Sequence, residues 1–126
     1  MLEIILVATG GAFGALTRFL TTNIVKFYLY NSFYGTLFVN VIGSFLIGYL
    51  ISLGYNKNIP EVILKYFLII GFLGSFTTFS AFSYEVVELY LSKKFFLTTF
   101  YIIISVVLCI ISALFGMYIN KLWKKY

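Results

Sequence analysis

Between Lys26 and Lys57, between Lys65 and Glu85, and between Lys94 and Lys121 the chain carries no charge at all. These runs, residues 27–56, 66–84 and 95–120, approach or exceed the ~20 residues that a helix needs to cross a hydrocarbon core. A fourth run, over about residues 4–25, holds only Arg18. Composition agrees: 62% of residues are apolar and 10% charged, against about 45–50% and about 25% in soluble domains. Disorder, a soluble globular domain and a nucleic-acid module are excluded on these numbers, and the net charge of +5 is not a basic patch facing water. With no histidine and one cysteine, Cys109, zinc, Ser-His-Asp and Cys-His chemistries lack their parts, so an enzyme is not expected.

Continuous apolar runs, without the alternation of barrel strands, predict helices. The expected fold is an all-α membrane protein in which residues 1–126 form a single integral-membrane domain with four spans, near 4–26, 34–54, 62–90 and 96–121. Four spans put both termini and the 2–3 connector on one face, with Lys57, Lys65, Lys121, Lys124 and Lys125. The other face holds Lys26, Lys93 and Lys94, joined by Arg18 if that residue sits low in the first helix. So weak a positive-inside bias predicts insertion in both orientations and antiparallel pairing of the chain with itself.

Polar side chains that could have been apolar are functional candidates inside lipid. Arg18 is either a snorkelling interfacial residue or a fixed positive charge drawing anions to a pore mouth. Gly10, Gly11, Gly14 and Ala15 give close-approach spacings for another helix. In the second span Thr36, Asn40, Ser44 and Gly48 recur every four residues on one face, as a hydrogen-bonded seam or a wet lining. The Asn40 amide offers two donors to an anion stripped of water. Residues 71–83, with Gly71, Gly74, Ser75, Thr77, Thr78, Ser80 and Ser83, are a poor recipe for an unbroken helix. They are either a break coordinating ions or a kinked helix whose hydroxyls bond back to the preceding turn. Phe79 and Phe82 share a face with Glu85, as packing or as positive ring edges that meet an anion. Tyr101, Ser105, Cys109 and Ser112 share roughly one side of the last span.

Taken in order, Gly10-Gly11-x-x-Gly14-Ala15-x-x-Arg18-Phe19, Gly35-Thr36-Leu37-x-Val39-Asn40-x-x-Gly43-Ser44-Phe45 and Gly71-Phe72-Leu73-Gly74-x-Phe76-Thr77-Thr78-Phe79-Ser80-x-Phe82-Ser83 resemble the CrcB/Fluc family of fluoride channels. The resemblance covers the whole chain, and its third motif is the specific one. It implies a four-helix subunit with the third helix broken mid-membrane, an antiparallel dual-topology homodimer, and two fluoride pores along the subunit interface. It further implies passive electrodiffusion across a prokaryotic plasma (inner) membrane, so that fluoride leaves the cell and its enzymes are spared.

By position, Phe79 and Phe82 look like the phenylalanines whose ring edges contact fluoride, and Asn40 like the pore asparagine. Ser80, Glu85, Tyr101 and Ser105 would form a polar track beside them, and Arg18 would belong to the vestibule. The backbone carbonyls of Gly74 and Thr77 would hold a structural sodium ion at the dimer centre. Ser75 stands where the family often has glycine and Ala81 where it often has threonine. Cys109 and Ala113 replace hydroxyl-bearing residues of some relatives. The implied partners are a second copy of the chain, fluoride and the bilayer, and no nucleic acid. A small multidrug-resistance transporter shares the architecture but places a glutamate mid-way along its first helix, where this chain has none; Glu3 lies at the end. A non-transporting, holin-like assembly protein would use the polar stripes as packing seams.

Overall fold

The computed structural model describes residues 1–54 and 59–123, without the side chains of residues 54 and 120–123. Lys57, Lys124 and Lys125 of the charge count lie outside the described residues, as does the side chain of Lys121. Every element among the described residues is helical: α1 (Leu2–Leu29), α2 (Ser32–Gly54), α3 (Ile63–Leu73), α4 (Gly74–Phe76), α5 (Phe79–Leu91) and α6 (Phe95–Trp123). Four described segments are long and apolar enough to cross a membrane, Leu2–Leu29, Ser32–Leu53, Ile63–Leu91 and Phe95–Ile119. Phe13, Phe19, Ile103 and Phe115 are among the many large apolar side chains left exposed, the surface that lipid rather than water solvates.

The connectors follow from local chemistry. At the end of α1, Tyr30 turns left-handed (φ 57°) and its amide bonds to the Lys26 carbonyl at 2.9 Å, which stops the helix. Asn31 Oδ1 then accepts from the Phe33 amide at 3.3 Å at the start of α2. A left-handed Lys93 (φ 58°) makes the equally short turn from α5 to α6.

The third span is interrupted, as its glycine, threonine and serine content predicts. Helical winding ends at Phe76, and Thr77 (φ −81°, ψ 156°) and Thr78 (φ −149°, ψ 117°) are extended before α5 begins. Upstream, α3 is wound wider than an α-helix, and the Gly74 amide reaches back five residues to the Ile69 carbonyl. The sequence reading did not foresee this winding, because the run is, Lys65 apart, apolar all round and shows no period by which to tell one helix from another.

Small residues set the packing. Gly10 and Gly14, both buried, press α1 against α3, and a Cβ on Gly14 would run into the Phe72 carbonyl. Gly48 on α2 faces the Ala113 carbonyl, and Gly116 on α6 faces the Phe45 carbonyl, so these two helices also meet backbone to backbone. Two apolar cores result. One joins Val39, Leu73 and Phe76, the other Phe82, Leu89 and Tyr101. Thr77 and Thr78 lie between them in the chain, so each half of the third span is anchored in its own core.

This packing predicts that Gly14→Ala destabilises the protein in micelles by about 1–3 kcal/mol, the usual cost of overpacking. Gly11→Ala meets the Ser75 hydroxyl at 3.2 Å and the Gly71 carbonyl no nearer than 4.0 Å, and should cost less. Thermal unfolding of the two variants in one detergent gives the order; equal stabilities would contradict the close approach of α1 and α3.

Candidate functional site

An interrupted helix leaves backbone groups unpaired, and in lipid they must find partners. Asn40, on α2, supplies them at the interruption. Its Nδ2 donates to the Thr78 carbonyl at 3.0 Å, and its Oδ1 accepts from the Thr78 amide at 2.8 Å. The side chain thus pairs with one residue's backbone from both ends, as a neighbouring strand would. Thr78 also caps α5: its Oγ1 accepts from the Ala81 amide at 3.2 Å and lies 3.1 Å from Ser80 Oγ.

These bonds have a consequence upstream. In an unbroken helix the Thr78 amide would close on the Gly74 carbonyl and the Ala81 amide on the Thr77 carbonyl. Both amides are turned elsewhere, so those two carbonyls are released. They belong to the pair of residues that the sequence resemblance names for a cation. Thr77 Oγ1 bonds back to the Leu73 carbonyl at 2.8 Å, and Ser83 Oγ to the Phe79 carbonyl at 2.9 Å, so part of the hydroxyl content does serve the preceding turn.

Beyond the break the rings of Phe79 and Phe82 lie 5.4 Å apart and tilted by 47°. Phe82 continues to Tyr101 at 5.4 Å and 50°, and Tyr101 to Phe33 at 5.7 Å and 48°. Tilted rings turn positive edges toward their surroundings. The two phenylalanines differ in setting, however: Phe82 is 8% exposed and belongs to the core, whereas Phe79 is 76% exposed.

Glu85 is buried, one helical turn past Ala81. Thr36 Oγ1 donates to one of its oxygens and the Tyr101 hydroxyl to the other, each at 2.7 Å. One carboxyl group therefore ties α2, α5 and α6 together. The arrangement also commits the Tyr101 proton. Of the side-chain donors expected along the track, Tyr101 serves Glu85, Ser80 is shared with Thr78, and Asn40 retains one amide hydrogen. Ser105, also buried, sits beside the Tyr101 hydroxyl, with its own oxygen closed off from the groove.

A groove of about 400 Å³ collects these residues. Asn40, Gly43 and Ser44 from α2 line one side, Ser105, Val106 and Cys109 from α6 another, and Gly74, Thr77, Thr78, Phe79 and Phe82 run along its floor. Glu85, Tyr101 and Ser80 adjoin it through the bonds and ring contacts above. Arg18 does not line it: it is half-buried on α1, and no carboxylate lies within ion-pair distance of it among the described residues. Ser112 is half-buried and also outside the lining. The polar stripe of α2 divides, with Thr36 and Asn40 bonded to the third span, Ser44 in the groove and Gly48 packed on α6.

Sequence reasoning put Thr36 on the polar face of the second span and Thr78 in the break, but assigned neither a role of its own in the site. Thr78 is the pivot of the break, and Thr36 holds Glu85. The available signal was the four-residue spacing of Thr36 and Asn40, which puts both on the face that meets the third span.

The family model described as "CrcB-like protein, Camphor Resistance (CrcB)" matches residues 5–117. The chain is 45% identical over 119 residues to a fluoride-specific ion channel, FluC, of Campylobacter jejuni, covering 94% of this chain and 97% of that one. It is 40% identical over 124 residues to the protein of the same name from Dehalococcoides mccartyi, covering 98% and 95%. With that of Chlorobium phaeobacteroides the identity is 38% over 120 residues, covering 95% and 94%.

The Glu85 cluster makes a quantitative prediction. Tyr101→Phe and Thr36→Val each remove one hydroxyl bond to a buried carboxyl and should each cost about 1.5–3 kcal/mol. Because both hydroxyls serve one group, the double variant should depart from additivity by more than about 0.5 kcal/mol. Chemical unfolding of the four proteins in micelles measures this; strict additivity would contradict the shared acceptor.

Proposed function

The chain belongs to the CrcB-like family, and on that premise we propose that it is a fluoride channel, a conductor of the anion down its gradient and not an enzyme. It is a multi-pass membrane protein, and in the plasma membrane it lets fluoride leave the cell before the ion reaches toxic levels. The observation that carries the reading is the groove at the interrupted third span, where phenylalanine edges and an asparagine amide meet.

Fluoride is small and strongly hydrated, so leaving water requires several compensating donors at once. Phe79 and Phe82 offer ring edges, Asn40 its second amide hydrogen, and Ser80 a hydroxyl. Glu85 and Tyr101 serve the track by holding α5 and α6 at fixed spacing, with their own polar atoms paired. Arg18, on α1, adds positive potential at the vestibule and is not a ligand of the narrow path.

The working unit is an antiparallel homodimer. Four helices leave the groove open on one side, and Phe79 at 76% exposure is a ring awaiting a cover. A second copy inserted the other way up supplies it and accounts for lysines spread over both faces. Two grooves then give two pores. The released carbonyls of Gly74 and Thr77 fit a hard cation, since both are oxygen donors freed from helical bonding on one short segment. Sodium held there at the dimer centre would add positive potential close to both pores.

Purified protein in liposomes loaded with fluoride tests the reading. Fluoride efflux without a proton gradient is expected, and absence of fluoride flux, or drug–proton exchange in its place, would overturn it. Phe79→Ile and Phe82→Ile should each slow efflux by about tenfold or more, the effect of ~1.4 kcal/mol on a barrier, with the dimer intact by size-exclusion chromatography. Wild-type rates in both would remove the rings from the path.

A further inference from the structure

Among the described residues that line the groove, Ser44, Thr77, Thr78 and Ser105 carry hydroxyls. The last three are committed or out of reach. Thr77 Oγ1 donates to the Leu73 carbonyl, Thr78 Oγ1 caps α5, and the Ser105 oxygen is closed off beside the Tyr101 hydroxyl. Ser44 is half-buried on α2, and its hydroxyl has no hydrogen-bond partner among the described residues. Among those residues only the Ser105 side chain holds an oxygen both unpartnered and enclosed, so the Ser44 oxygen stays within reach of the groove. Hydroxyls elsewhere in the spans behave differently: Thr9, Thr17, Thr22, Thr98 and Thr99 each donate to the carbonyl four residues earlier.

Ser44 follows Asn40 by four residues, which places it on the same face of α2, ~5.4 Å farther along the axis. Asn40 keeps one Nδ2 hydrogen after giving the other to the Thr78 carbonyl. Gly43 fixes the level, since a Cβ there would run into the Thr77 methyl, so α2 lies directly on the interruption. Ile47 on α2 and Ile69 and Leu73 on α3 also line the groove and offer an anion no donor. We propose that Ser44 contacts the permeating fluoride and carries its path one helical turn beyond Asn40, the hydroxyl donating as the asparagine amide lets go. The inference rests on the channel reading above. In so apolar a setting a single hydroxyl counts for more than it would in water. Between ions, rotation of the side chain brings the hydroxyl to the Asn40 carbonyl, so the empty position costs little.

The test compares fluoride efflux from liposomes holding wild-type protein, Ser44→Ala, Ser44→Thr and Ser44→Val, with dimer content followed by size-exclusion chromatography. Ser44→Ala should slow efflux by about fivefold or more, the effect of one lost hydrogen bond to a charged species, with the dimer intact. Ser44→Thr keeps the hydroxyl and should stay close to the wild-type rate, whereas Ser44→Val, equal to threonine in shape, should be slow. This last pair separates the hydroxyl from packing, and serves alone if the alanine variant fails to fold. Wild-type efflux in Ser44→Ala, or equal rates in the threonine and valine variants, would overturn the proposal. So would loss of the dimer in Ser44→Ala and Ser44→Val but not in Ser44→Thr, which would give the hydroxyl to the subunit contact. If wild-type protein passes no fluoride, the channel reading fails instead, and the wild-type arm tells the two failures apart.

Discussion

The rest of the structure depends on a pair of hydrogen bonds between one asparagine side chain and one threonine backbone. Asn40 meets both the amide and the carbonyl of Thr78. In water such a pairing would compete with solvent and count for little. At membrane depth no solvent competes, and each unpaired backbone group would cost several kcal/mol. The bonds permit two extended residues in the middle of a span. Those residues free the carbonyls of Gly74 and Thr77, start α5 afresh at Phe79, and aim the phenylalanine pair into the groove. An apolar residue at position 40 would leave the break without partners, and a continuous helix would then be the cheaper conformation.

The halves of the third span are held apart by different means. Upstream, glycines bring α3 against α1 until backbone meets backbone, and Leu73 and Phe76 close one core with Val39. Downstream, the Glu85 carboxyl gathers Thr36 and Tyr101 while Phe82 and Leu89 fill a second core. Polar atoms that would be liabilities in lipid thus fix helix spacing. Phe82 takes part in both tasks, since its ring packs in the core and also borders the groove.

Much of this is legible in the residues, for identifiable reasons. Charge-free runs locate the spans because insertion depends on composition, and the crowding of glycine and hydroxyl residues over 71–83 marks the break because those residues disfavour helix. The resemblance set the break at Gly74 and Thr77, just ahead of Phe79; that Thr77 and Thr78 are its extended residues depends on which backbone Asn40 can reach across from α2. The wide winding of α3 was hidden because its surface, Lys65 apart, is apolar on every side. Tyr101 was read with Glu85 in one polar track, and the fold shows its hydroxyl committed to that carboxyl, sixteen residues earlier on another helix. Arg18 was read as a vestibule charge or a snorkelling interfacial residue, and α1, packed against α3 on its glycine face, holds it outside the groove lining.

Short chains with almost no charge are usually read as membrane anchors or packing partners. Here a built interruption, a ring pair and an asparagine amide on one groove make ion conduction the account that uses them all. The most direct test is the reversal potential of the purified protein in a planar bilayer under a fluoride gradient at equal chloride and equal pH on both sides. The account predicts a current that reverses at the Nernst potential of fluoride and does not move when a pH or chloride gradient is added. A reversal potential that follows the proton or chloride gradient, or the absence of fluoride current, would contradict it.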